Sequence, residues 1–145
     1  MKKKVISRFL STVIISTVAI CFFTGCPQKG AESPDGTNQI FIGAMQLCNF
    51  EVMKRYTRFQ ALQKIEELES TFWQLDFEGR KKFKYFFYEQ ISSKKITVKS
   101  QDSTRAVFAI ECKDVSFNVE LMYLDNANDS GWFIVDFVPP NRPGL

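Results

Sequence analysis

The spacing of apolar residues changes once along this chain, and that change limits the folds open to it. Over residues 41–91, apolar side chains recur every three or four positions, the spacing of one helix face. Over residues 96–137 they alternate with polar side chains, the spacing of strands with one buried face. Helices followed by strands predict an α+β fold, with N-terminal helices packed on a C-terminal antiparallel sheet.

The helical half divides at polar residues that can cap helices. An apolar face over residues 41–48 is followed by Asn49, a predicted N-cap for the next segment. A longer apolar stripe covers residues 59–75, and a further helix follows it. The start of that last helix has two interpretations: Asp76 caps it, or it begins only after Gly79, since glycine is a poor helix former.

The second half predicts three or four short strands joined by tight turns. In residues 106–112 and 115–123 every second side chain is apolar, so each segment has one apolar face, and Lys113-Asp114 between them is a predicted turn. The segment "DNANDSG", residues 125–131, is rich in turn formers. The strand "GWFIVDFV" then closes the sheet, apolar on both faces except for Asp136.

The N-terminus predicts a secretory signal that ends at "FFTGC", Phe22 to Cys26. Basic residues open the chain, and an apolar run of 15 residues follows, short of the roughly 20 that span a bilayer. The residues "FTGC" resemble the lipobox of bacterial lipoproteins. That resemblance implies cleavage before Cys26, acyl chains on its thiol, and a membrane-anchored protein of the bacterial cell envelope, facing the periplasm or the exterior. The other interpretation is an ordinary signal peptide or an uncleaved anchor, with Cys26 there by chance.

Cleavage at this site changes the charge of the chain. The whole sequence has 19 basic and 16 acidic residues, a net charge of +3. Four of the basic residues, and no acidic residue, precede Cys26, so residues 26–145 carry a net charge of −1. The apparent basicity therefore belongs to the signal peptide, and we expect no nucleic-acid partner.

Cys48 and Cys112 are the two thiols left once Cys21 is removed and Cys26 is acylated. Outside the inner membrane a disulfide between them is permitted, and it would close a long loop. The alternative is two thiols that pack as small apolar groups. The sequence leaves both interpretations open.

The predicted domains are a signal peptide over 1–25, a lipidated cysteine with a flexible tether over 26–38, an α+β domain over 39–138 and a disordered tail over 139–145. Within the domain, "LCNFEVMKRY" and "SGWFIVDF" resemble segments of the small nuclear transport factor 2-like (cystatin-like) lipoproteins. The resemblance implies a cone-like curved sheet of three to four strands. That superfamily includes enzymes, ligand binders and dimerising scaffolds, so a homodimer is compatible with it and no single activity is implied.

The absence of histidine removes the usual acid-base and nucleophile partners near neutral pH. No phosphate loop or metal-ligand spacing is present, so neither a cofactor nor a metal is expected. We therefore predict a non-enzymatic protein that binds a partner protein or a small apolar ligand. The alternative is an enzyme with a conical pocket, in which Asp136 and Tyr123 act as acid-base groups. The other interpretation of Asp136 is a residue near the end of the sheet, solvated or bonded to a neighbouring Lys or Tyr.

The segment "RKKFKYFFYEQ", residues 80–90, mixes basic and aromatic side chains. The main interpretation is a core helix, with Phe83 and Phe87 in its apolar stripe and a solvated basic rim. Contact with anionic lipid headgroups is the second interpretation, and nucleic-acid binding is the third.

Overall fold

A computed structural model describes residues 28–140 of the chain. Its elements in chain order are β1 (Gln28–Lys29), α1 (Pro34–Gln46), α2 (Phe50–Arg55), α3 (Phe59–Gln74), α4 (Phe77–Ser92), β2 (Lys95–Gln101), β3 (Arg105–Glu111), β4 (Ser116–Asp125) and β5 (Asp129–Phe137). The four helices pack against one sheet, so the predicted α+β fold is confirmed. No helix in these residues is both long and apolar enough to span a bilayer.

The helices begin where polar side chains accept hydrogen bonds from otherwise unpaired backbone N–H groups. Asn49 accepts from the amide of Val52 at 3.2 Å, which confirms it as the N-cap of α2. Asp76 accepts from the amide of Gly79 at 2.7 Å, so α4 begins at Phe77 and not after Gly79. The glycine is tolerated in the first turn because its amide is the one that the cap satisfies.

The sheet has the strand order β1-β5-β4-β3-β2. Strands β2 to β5 form an antiparallel meander, as predicted, and β1 adds a fifth, parallel strand of two residues on β5. The free edge of β5 beyond β1 is closed by other parts of the chain. The amide of Trp132 donates to the carbonyl of Ala31 at 3.0 Å, and the amide of Ile134 donates to that of Tyr56 at 2.9 Å. These bonds leave little of the edge open to another strand.

Aromatic side chains fill the space between the helices and the sheet. Phe41 of α1 meets Phe137 of β5 edge-on, with ring centroids 5.1 Å apart. The rings of Phe72 and Phe83 also meet edge-on, with centroids 5.4 Å apart, and this contact joins α3 to α4. Other fully or almost fully buried apolar residues are Ile42, Met45, Met53, Ala61, Ile65, Phe87, Ile91, Ala106, Phe108, Ile110, Val119, Leu121 and Ile134. Phenylalanine side chains thus form a large part of the core.

The predicted tether over 26–38 is wrong for residues 28–38, which belong to the folded domain. Residues 28–29 pair with β5, and α1 begins at Pro34 behind the N-cap Ser33. The hydroxyl of the fully buried Thr37 donates to the carbonyl of Trp132 at 3.0 Å. The residues that suggested a linker have structural roles instead. Pro34 begins the helix, Ser33 caps it, and Gly30 allows the chain to approach the sheet closely.

Candidate functional site

The lipidation site predicted at Cys26 lies outside the described residues, as do the predicted signal peptide and residues 141–145 of the predicted tail. The nearest described residue is Gln28, two positions further along the chain. Gln28 lies in β1 and pairs with Asp129 of β5.

Cys48 and Cys112 are free thiols in the structure, and the disulfide considered from the sequence is not formed. Cys48 is 9% exposed, and burial raises its pKa to about 11, partly offset by the nearby Lys84 ammonium. Burial also raises the pKa of the half-buried Cys112. Because the thiolate is the reactive form, both side chains are poor nucleophiles and act as packing groups.

Asp136 lies in an ion pair that serves the fold. Its Oδ1 accepts a hydrogen bond from Lys64 Nζ at 2.6 Å and another from the amide of Phe137 at 2.8 Å. The same ammonium donates to the carbonyl of Phe137 at 2.8 Å, so Lys64 ties α3 to the end of β5. The sequence considered a neighbouring lysine or tyrosine as the partner of this carboxylate, and the lysine is confirmed.

Tyr123 lies away from this pair. It is opposite Trp132 on the neighbouring strand, with ring centroids 5.8 Å apart, whereas Asp136 is opposite Glu120. Three residues of strand, roughly 10 Å, therefore separate the two side chains proposed as acid-base groups. Among residues 28–140, no cluster of three or more potential metal ligands occurs.

The most unusual surface lies where α3 ends and α4 begins. Two large aromatic side chains are mostly in solvent there: Trp73 is 62% exposed and Phe77 is 72% exposed. They border a cleft of about 300 Å³. The cleft is lined by Phe72, Trp73, Phe77, Arg80, Lys81 and Lys84, which we call the α3–α4 patch.

The helix junction explains why these aromatic rings are outside the core. Helix α3 ends at Gln74, Leu75 is extended, and Asp76 caps the next helix at once. Phe72 belongs to the buried stripe of α3, so its neighbour Trp73 falls about 100° away around the helix and faces water. Phe77 is the first residue of α4 and precedes the buried stripe that starts at Phe83.

Cationic side chains pack against these rings. The guanidinium of Arg80 lies 5.7 Å from the centre of the Trp73 ring, and the ammonium of Lys84 lies 5.6 Å from that of Phe72. Trp73 in turn contacts Phe72 edge-on at 5.1 Å. Cation–π contacts of this kind hold the charged groups beside the aromatic rings and contribute on the order of 0.5–1 kcal/mol each when exposed.

The charge of the α3–α4 patch is positive and largely uncompensated. Residues 76–84 contain four basic and two acidic side chains, a net charge of +2. Within the described residues, none of those four cations makes a salt bridge. One of the two acids, Asp76, is occupied as the N-cap of α4. The surface thus offers apolar area and free positive charge side by side.

The sequence predicted part of this surface. Residues 80–90 form a core helix, with Phe83 and Phe87 2% exposed and the basic residues around them, as expected. The contribution of Trp73 and Phe77 to the α3–α4 patch was missed. Helical spacing identifies the buried stripe but gives no information on aromatic residues outside it. The available signal was the position of both residues off that stripe and next to a basic cluster.

A second cleft, of about 430 Å³, opens on the sheet near the turn between β2 and β3. Asp102 at that turn accepts hydrogen bonds from the amides of Thr104 and Arg105 at 2.7 and 2.8 Å, and these bonds lower its pKa. The carboxylate therefore shapes the turn.

Neither the known protein families, nor the curated proteins, nor the solved structures gave a match to this chain.

Proposed function

We propose that this protein is a lipid-anchored component of the bacterial cell envelope, without catalytic activity, that binds an acidic partner protein through the α3–α4 patch. Exposure of Trp73 and Phe77 beside unpaired cations is the observation that carries this proposal. The anchor is proposed from "FTGC", with acylation at Cys26. Two or more acyl chains give a stable attachment to the membrane, whereas a single chain does not.

A protein partner fits the α3–α4 patch better than a small apolar ligand does. Tryptophan and arginine are enriched among the residues that contribute most to binding energy in protein interfaces. The patch combines both, and it is open to solvent rather than enclosed. Phe41, Phe108 and Phe137 are buried between the helices and the sheet, where the alternative interpretation placed a conical pocket.

The charge of the α3–α4 patch favours a partner segment with Asp or Glu next to apolar residues. Arg80, Lys81 and Lys84 are free to pair with carboxylates, and each pair formed at the rim speeds association more than it adds affinity. We expect such a complex to weaken as salt is raised, because exposed charges are screened within about 8 Å at physiological ionic strength.

Site-specific photo-crosslinking of the full chain in its own cells tests the proposal. A photoreactive phenylalanine analogue at position 73 or 77 should give one adduct of discrete mass, joined to an acidic segment of another protein. The Lys81→Glu and Lys84→Glu substitutions should abolish that adduct. The matched control places the analogue at Tyr88, which is also exposed on α4, at 54%, and lies outside the patch. Equal adducts at positions 73 and 88, or none at 73 and 77, would contradict the proposal.

A further inference from the structure

We propose that the domain lies directly on the bilayer, with Phe59 in the membrane interface. The surface concerned, which we call the anchor-side surface, consists of Gln28, Lys29, Arg55 and Phe59. The inference rests on the proposed acylation of Cys26. It extends that proposal by specifying which face of the domain meets the membrane.

The first observation is that the chain is fixed to the domain almost immediately after Cys26. The amide of Gln28 donates to the carbonyl of Asn128 at 2.7 Å, and that of Gly30 donates to Ser130 at 2.7 Å. Two residues of extended chain reach at most about 7 Å. An acylated Cys26 would therefore lie within that distance of Gln28, and the flexible reach of a 12-residue tether, roughly 20 Å, is lost.

The second observation is what surrounds Gln28. Its side-chain amide donates to the carbonyl of Arg55 at 3.0 Å, and its side-chain oxygen accepts from Arg58 Nη2 at 2.9 Å. Both partners lie at the junction of α2 and α3. That junction is therefore in direct contact with Gln28, and it must approach the bilayer together with that residue.

Phe59 is the residue at this junction suited to the interface. It is 64% exposed and follows Arg58 directly. Its backbone has φ +54°, a conformation that bulky residues rarely adopt. The preceding residue is held firmly: Arg58 donates to Asp129 at 2.7 Å and lies 4.2 Å from the centre of the Phe133 ring. An aromatic side chain is thus held in solvent on a rigid support, and aromatic side chains favour the membrane interface.

The charges on the anchor-side surface are nearly balanced. Lys29 lies 3.9 Å from Glu32. Nearby, Lys54 pairs with Glu51 at 3.1 Å. Arg55 is the one cation of the anchor-side surface without a salt bridge to another described residue. We therefore expect the contact to depend mainly on the acyl chains and on Phe59, with a gain of about 1 kcal/mol from Arg55 on anionic lipids.

This arrangement leaves the α3–α4 patch free for a partner. Phe59 and Trp73 are near opposite ends of α3, and 14 residues of helix separate them by roughly 21 Å. One end of the helix then meets the membrane, and the other carries the proposed partner site.

Fluorescence quenching by brominated lipids tests the orientation. The full chain, acylated and reconstituted in phosphatidylethanolamine–phosphatidylglycerol vesicles, carries Phe59→Trp or, as the matched control, Phe77→Trp. The signal of the native Trp73 and Trp132 is measured in the unsubstituted chain and subtracted. Bromine near the start of the acyl chains should quench the added signal of Phe59→Trp roughly twofold or more, since interfacial apolar groups lie about 5–10 Å deep. The Phe77→Trp signal should be almost unchanged.

A second variant separates the short link from any intrinsic affinity of Phe59 for lipid. Twelve Gly and Ser residues inserted between Pro27 and Gln28 restore a reach of roughly 20 Å, and they should remove most of the quenching of Phe59→Trp. Undiminished quenching after the insertion would overturn the argument from the short link.

Mass spectrometry of the same samples distinguishes the two proposals. If Cys26 carries no acyl chain, the proposed anchor fails and the orientation fails with it. If Cys26 is acylated but Phe59→Trp is quenched no more than Phe77→Trp, only the proposed orientation is overturned.

Discussion

Replacement of Gly30 by alanine should detach the N-terminal segment from the sheet. Gly30 is buried, and a Cβ atom there would lie 2.5 Å from the carbonyl oxygen of Trp132 and 2.9 Å from its amide nitrogen. A side-chain rotation cannot relieve either contact, because both atoms belong to the backbone of β5. The strand β1 and the adjoining Ala31 must therefore move away.

The cost follows from the hydrogen bonds that this movement breaks. The amides of Gln28, Gly30 and Trp132 each lose a backbone bond of 2.7–3.0 Å. At a net contribution of about 1 kcal/mol each, the free energy of unfolding should fall by about 3 kcal/mol. The domain should remain folded, since the apolar core lies on the helix-covered face of the sheet.

Urea unfolding followed by circular dichroism measures this loss, and hydrogen exchange locates it at the amide of Trp132. The matched control is Gly43→Ala in α1, where a Cβ would meet no atom within 4 Å. That substitution should stabilise the protein by about 0.5–1 kcal/mol, because glycine is unfavourable inside a helix. If Gly30→Ala unfolds like the wild type and the Trp132 amide stays protected, then β1 remains paired with β5 despite the added Cβ.

Three further predictions follow from buried or paired polar groups. Asn38→Leu should raise the free energy of unfolding by about 1 kcal/mol in thermal melts, because the fully buried amide has no hydrogen-bond partner among residues 28–140. Unchanged stability would contradict this. Between pH 9 and about 11 the wild type should lose more stability than Cys48→Ala in pH-dependent urea titrations. Burial raises the folded-state pKa of this thiol, so the unfolded chain releases its proton first and stability falls as pH rises. Asp136→Asn should cost less than about 1 kcal/mol in the same assay, because the ion pair with Lys64 is one-third exposed; a larger loss would show a stronger coupling of α3 to β5.

The sequence predicted the elements that carry a periodic apolar face. The alternation in residues 106–112 and 115–123 specified β3 and β4, because a one-residue shift would turn every apolar side chain to the wrong face. Asn49 was identified as a cap from its residue type, because its short side chain can accept a hydrogen bond from a backbone amide that the helix leaves unpaired.

The N-terminal segment was missed because the residues that end a linker and those that begin a helix are chemically alike. Ser33 and Pro34 favour a turn in an open chain and a cap in a folded one. The folded segment differs from an open linker by the contact of Gly30 with Trp132, which is more than 100 residues away in sequence. No local pattern contains that information.

The same limit applies to the candidate site. The pairing of Asp136 with Lys64 spans 72 residues, so the sequence offered only a lysine or tyrosine as partner types. The α3–α4 patch depends on how the junction at Leu75 orients two helices, which determines that Trp73 and Phe77 remain in solvent. Composition alone does not separate such residues from the core aromatics.

The proposed lipid anchor is tested by the intact mass and the N-terminal peptide of the protein purified from its own membranes. We expect a chain that begins at Cys26, lacks residues 1–25 and carries a diacylglyceryl group on the cysteine sulfur. A chain that retains residues 1–25, or one with an unmodified thiol at Cys26, would contradict this expectation.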